Sequence, residues 1–276
     1  MKQGGNNLAD KKIGFLGAGN MATALWKGIL HLGDINKDDV YIYDPLPEKQ
    51  EQCTAYGIHV CANNRDVVYN SQYIFLCVKP QVSGDVLAQL RDVDFTGKVL
   101  VSICAGVTIE TIRTVLGRNI PVVRAMPNTP LLLGEGMTAL TCPPDVDTRD
   151  FNVIRSLFDA SGKTVVVKES DLSAVTAVSG SGPAYCFKLA RAVVEEGVAL
   201  GLSYETALAL FSQTMRGSAA MLSGSGCDPT DLINMVTSPK GTTLAASEVF
   251  DANEFEPVTR QAVRACFDRA QELAGQ

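Results

Sequence analysis

The chain has 276 residues, 46% of them hydrophobic and 20% charged, with a formal net charge of −6. That length accommodates one large domain or two modest ones, each with its own core. An acidic balance with no basic stripe argues against a nucleic-acid binder, and no apolar run approaches the roughly 20 residues that a bilayer span needs.

The opening MKQGGNNLADKK is polar and lacks the apolar core of a secretory signal, so residues 1–10 are expected to form a flexible tail. From about residue 11 to 168 the sequence alternates short apolar runs with helical stretches. The predicted strands are IGFLG from Ile13, VYIYD from Val40, YIFLCV from Tyr73, VLVSIC from Val99, VVRAM from Val122 and TVVVK from Thr164. A further strand, MTAL, is expected from Met137. Continuous apolar runs suit strands covered on both faces, and their alternation with helices predicts a doubly wound α/β domain built on a parallel sheet.

The first strand runs into Gly17-Ala18-Gly19-Asn20-Met21-Ala22 and then into a helix. This is the GxGxxA form of a dinucleotide fingerprint: the first glycine for the tight turn, the second for approach to the pyrophosphate, the alanine for close helix–strand packing. Asp44 closes the second strand, where a carboxylate accepts hydrogen bonds from the adenosine ribose and repels a 2′-phosphate. The competing reading of Asp44 is a turn residue before Pro45. Val78-Lys79-Pro80 ends the YIFLCV run and should line the cofactor cleft.

After about residue 169 the pattern becomes helical, and residues 169–276 are read as a second, all-helical domain. Gly182-Pro183, Asp228-Pro229 and Ser238-Pro239 each resemble a helix start, with proline at the first helical position. Between Ala184 and Leu200 the polar residues Lys188, Arg191, Glu195 and Glu196 form a narrow stripe, so this helix must be covered within the domain or by a partner chain. Two segments rich in glycine and hydroxyls open helices: Ser179-Gly180-Ser181-Gly182-Pro183 and Thr237-Ser238-Pro239-Lys240-Gly241-Thr242-Thr243. Each is either an anion site at a helix N-terminus or a place where small residues let helices pack closely.

The eight cysteines form no CxxC pair, and several lie in apolar segments, which suits reduced thiols in a cytoplasmic protein. With only two histidines, His31 and His59, no metal centre is expected.

The ordered set GAGNMA, CVKPQ, SICAGVTI, RAMPNTP, SGSGPAY and DLINMVTSPKGTT resembles the pyrroline-5-carboxylate reductase family from Ile13 to the last helices. The resemblance implies a Rossmann domain followed by a helical domain that builds an intertwined dimer, with a higher oligomer of dimers left open. It implies reduction of the C=N bond of 1-pyrroline-5-carboxylate to L-proline by NADH or NADPH, with the substrate between the domains beside the nicotinamide; Asp44 inclines the choice to NADH. Gly17, Ala18, Gly19, Asn20 and Met21 would lie on the dinucleotide, joined by Asn64, Val78, Lys79 and Pro80. Cys104 and Ala105 would lie on the nicotinamide side, and Asn128 of the Met126–Pro130 loop would close the cleft. Ser179, Gly180, Ser181, Gly182, Pro183, Ser238, Gly241, Thr242 and Thr243 would form the substrate site, with Thr243 positioning the ring and no general acid required. Two departures from the family pattern are Lys240, where glycine is usual, and Gly226, where some relatives carry glutamate. The competing readings are a 3-hydroxyacid dehydrogenase using Lys188 and a nucleotide-binding regulatory protein without turnover.

Overall fold

The computed structural model describes Leu8 and residues 10–275. Its contacts divide the chain into two units, one running to Ser181 and taking back Cys266 onward, the other spanning Gly182–Ala265. The division therefore falls later than the expected boundary at residue 168, and the end of the chain returns to the first unit. Of the expected tail, residues 1–7 and 9 lie outside the described residues, whereas Leu8 is buried in the core of the first unit.

In the first unit eight strands form one sheet: β1 (Ile13–Leu16), β2 (Val40–Tyr43), β3 (His59–Val60), β4 (Tyr73–Leu76), β5 (Val99–Ser102), β6 (Val122–Met126), β7 (Gly136–Thr141) and β8 (Gly162–Val167). Their order is β3-β2-β1-β4-β5-β6-β7-β8, so the winding reverses between β1 and β4, the crevice where such sheets bind ligands. All pairs are parallel except β6 with β7, so the sheet is the expected doubly wound one with one antiparallel pair. The link Thr129–Leu133 is a single short 3-10 turn, too short for the crossover that a parallel pair requires.

Successive strand residues point to opposite faces and build two cores. Phe15, Tyr73, Phe75 and Val101 join α1 (Asn20–His31), α2 (Pro47–Ala55) and α6 (Thr148–Asp159) on one face. Leu16, Ile74, Leu76 and Leu100 join α3 (Asn64–Asn70), α4 (Pro80–Ala88) and α5 (Ile109–Leu116) on the other. The stacked rings of Phe15 and Phe75, with centroids 5.0 Å apart, are fully buried; each such side chain contributes about 1.5–3 kcal/mol. After β8 the chain forms a short helix α7 (Leu172–Val175) and a π-helical turn, Thr176–Gly180.

The second unit contains α8 (Gly182–Ala199), α9 (Tyr204–Gly224), α10 (Pro229–Val236), α11 (Thr242–Ala252) and the first turns of α12 (Phe255–Ala274). Two of the proline-marked starts are real: Pro183 lies at the start of α8, and Asp228 caps α10 by accepting from the Thr230 amide at 2.8 Å. The third is not, because Ser238-Pro239-Lys240-Gly241 is a turn closed by a Gly241 N–H to Ser238 carbonyl bond of 3.0 Å, and α11 begins only at Thr242. Within α8 only Val194 is buried and within α9 only Ala207, while Phe187 is 65% exposed. Among the described residues no helix is long and apolar enough to cross a membrane.

Candidate active site

The turn after β1 has the geometry its glycines require. Gly17 has φ +100°, and a Cβ there would lie 2.9 Å from the Cys77 carbonyl oxygen. Glycine is thus needed for both conformation and space. A Cβ at Gly19 would meet nothing within 4 Å, so the turn faces open space at the N-terminus of α1. No side chain caps that helix and its first turn carries no acid, which leaves its amides, beginning with Asn20 and Met21, for an anion. Ala22 is fully buried against the sheet. These are the features that fit a dinucleotide pyrophosphate.

Asp44 follows β2 and points back at this turn. Its Oδ2 accepts from the Ala18 amide at 2.7 Å and its Oδ1 from the Leu46 amide at 3.0 Å. The carboxylate therefore serves the turn before Pro45 and also stands against the fingerprint loop, with acceptor capacity left on each oxygen. Lys79 is exposed at the N-cap of α4, and Pro80 is the first helical residue. Cys104 is buried, its thiol donating to the Val78 carbonyl at 3.2 Å and so joining the loops after β4 and β5. Burial raises the Cys104 pKa to about 11, which keeps the thiol neutral. Ala105 is half-buried beside it. Asn64 is buried at the start of α3 and donates its side-chain amide to Gln89 at 3.0 Å.

Asn128 ties two of the sequence motifs together. Its Oδ1 accepts from the Met137 amide at 2.9 Å, and its Nδ2 donates to both the carbonyl and the hydroxyl of Ser179 at 3.3 Å. A Cβ at Gly180 would lie 2.5 Å from the Met126 methyl, and Ser181 accepts from the Cys266 thiol at 3.2 Å. Close packing is therefore a demonstrated role of the Ser179–Ser181 segment.

In the second unit, the turn at Ser238 delivers Gly241 as the N-cap of α11, where no side chain caps the helix. Thr242 and Thr243 are exposed in its first turn. Lys240 has φ +61°, a left-handed conformation that favours glycine. Gly226 also has a left-handed φ of +71°, and Lys188 is exposed on α8. Two charged residues of the first unit had no assigned role in the sequence reading: Arg124, buried within β6, and Glu169, which accepts from it at 3.0 Å. The available signal was a charge inside the apolar run VVRAM, since a buried charge must be paired.

Comparison with known proteins matches the two halves of the chain to separate family models. The family model described as pyrroline-5-carboxylate reductase dimerisation matches residues 169–273, and one described as NADP oxidoreductase coenzyme F420-dependent matches residues 12–106. The pyrroline-5-carboxylate reductase of Haemophilus influenzae is 37% identical over 96% of this chain and 98% of its own length. That of Pseudomonas aeruginosa is 38% identical over 98% of this chain and 99% of its own. This chain belongs to the pyrroline-5-carboxylate reductase family. The solved pyrroline carboxylate reductase of Plasmodium falciparum, described with NADP bound, superposes with a TM-score of 0.88 at 29% identity, covering 96% of this chain and 98% of that one. Family membership over nearly the whole length favours the reductase over the hydroxyacid dehydrogenase and regulatory readings, and it gives the helical unit its role in homo-oligomerisation.

Proposed function

We propose that the chain, an NAD(P)H-dependent oxidoreductase acting on a C=N bond, makes L-proline from 1-pyrroline-5-carboxylate by positioning rather than by acid–base catalysis. The observation that carries this reading is the open turn at Gly17–Gly19, in a chain related end to end to enzymes named for that reaction. A bound dihydronicotinamide supplies the hydride, and a protonated cyclic imine is already electrophilic, so no side chain has to polarise a carbonyl. Gly17, Ala18, Gly19, Asn20 and Met21 form the turn against the pyrophosphate, the uncapped amides at the start of α1 hold it, and Val78, Lys79 and Pro80 border it. Cys104, Ala105 and Asn128 shape the nicotinamide side, with Asn64 supporting the neighbouring loop. Ser238, Gly241, Thr242 and Thr243 take the substrate carboxylate and ring through uncapped amides and hydroxyls. Ser179, Gly180, Ser181, Gly182 and Pro183 belong to the same substrate site. The result is two reacting rings held in near-attack geometry.

We further propose that NADH serves at least as well as NADPH. Asp44, fixed by the Ala18 and Leu46 amides, offers acceptors to ribose hydroxyls and repels a 2′-phosphate. The dimer as the minimal assembly and a cytoplasmic location belong to the same proposal. The test is nucleotide-dependent formation of proline with each cofactor at one ionic strength. Proline formation carries the reaction, and comparable kcat/KM values for the two nucleotides carry the preference. An NADPH preference of about tenfold or more, worth about 1.4 kcal/mol, would refute the role given to Asp44.

A further inference from the structure

Glu169 joins three segments that the sequence keeps far apart. Its Oε1 accepts from Arg124 Nη1 at 3.0 Å and from the Ile109 amide at 2.9 Å. Ile109 opens α5, so the carboxylate satisfies a free helix amide and complements the helix dipole. Directly before it runs the loop Cys104–Thr108. Arg124, on β6, stands just ahead of the Met126–Pro130 loop, and its side chain is only 8% exposed. Glu169 itself begins the stretch that leads through α7 to Ser179, which Asn128 holds. The pair also walls a cavity of about 430 Å³ shared with Ala105, Gly106, Thr108 and Thr176.

We propose that Glu169, acting through Arg124 and the Ile109 amide, is a positioning residue for hydride transfer. It sets the Cys104–Thr108 loop, and with it the nicotinamide side of the site, relative to the Asn128 loop. This inference rests on the nicotinamide-dependent reaction proposed above. A small displacement of one reacting ring costs rate without costing binding, because the phosphates and the substrate carboxylate are held elsewhere.

The experiment compares steady-state kinetics, thermal stability and the primary isotope effect from C4-deuterated cofactor in the wild type, E169A, E169Q and the double variant R124L/E169L. E169A should lose about tenfold or more in kcat, with KM for both substrates within about threefold of the wild type and a larger isotope effect. E169Q keeps an acceptor for the Ile109 amide and should recover most of the rate. The double variant removes the buried charge as well as its partner, so it should regain stability lost in E169A but not kcat. Wild-type kcat in E169A, or kcat returning together with stability in the double variant, would overturn the proposal. Should E169A not fold, the double variant decides by the same criterion. An inactive wild type would instead refute the functional reading.

Discussion

The two units use similar apolar residues in opposite ways. In the sheet unit Phe15, Phe75, Trp26 and Phe158 are closed away between the sheet and the helices on one of its faces. In the helical unit Phe187, Leu210, Met235 and Val249 stay largely exposed, and α10 and α11 contain no buried residue. So many large apolar side chains left exposed on one unit are the mark of an interaction surface. The contrast teaches that the first unit buries its own core, whereas the second leaves its apolar side chains exposed, in keeping with its match to the family's dimerisation region.

The largest effect should come from breaking that difference. Phe187→Asp exchanges a large exposed apolar side chain on α8 for a charge. A two-fold interface loses it twice, at about 1.5–3 kcal/mol per side chain. Light scattering at micromolar concentration should then show monomer, with activity lost, while the sheet unit keeps its folded signature. An active Phe187→Asp dimer would remove α8 from the interface. Thr243→Ala probes the helical unit's chemical role. We expect kcat/KM to fall by the equivalent of about 1–3 kcal/mol, the loss of one buried hydrogen bond, with cofactor affinity unchanged. Unaltered kinetics in the folded variant would take Thr243 out of the site.

Within the sheet unit, Asp44→Ser should shift the NADH-to-NADPH ratio of kcat/KM toward NADPH by about 1–2 kcal/mol, chiefly through the cofactor KM. Because this is a charge effect near the surface, raising the salt concentration should blunt it. A ratio that does not move would mean that the carboxylate serves the Ala18 and Leu46 amides alone. The smallest effect is expected at Lys240, whose left-handed φ disfavours a side chain. Lys240→Gly should relieve up to about 1 kcal/mol of backbone strain, read as a higher urea midpoint. A lower midpoint would show that the lysine side chain compensates for its conformation.

The parts of the fold that were legible were those in which one physical rule acts alone. The runs at Ile13, Tyr73 and Val99 are fully buried and read as strands without ambiguity. β3 was missed because two residues, with His59 exposed, leave no apolar pattern. The antiparallel turn into β7 depends on the length of the link rather than on the strand's composition. Ser238-Pro239 looks like a helix start, yet the positive φ at Lys240 makes it a turn. Of the candidate site, the Gly17–Ala22 turn was readable because each residue answers a local demand. The bonds from Asn128 to Ser179 and from Glu169 to Arg124 and Ile109 were not, since they join residues 45 or more positions apart. The returning end of α12 was hidden for the same reason.

The central claim, hydride transfer to a C=N carbon in a site that works by positioning, is tested most directly with cofactor carrying deuterium at C4 of the dihydronicotinamide. The purified chain is mixed with it and 1-pyrroline-5-carboxylate, and the proline is examined by mass spectrometry and NMR. Hydride transfer by this chain puts one deuterium at the δ carbon of L-proline, in step with cofactor oxidised. Cofactor oxidation without proline, or proline free of deuterium from a cofactor labelled at both C4 positions, would contradict it.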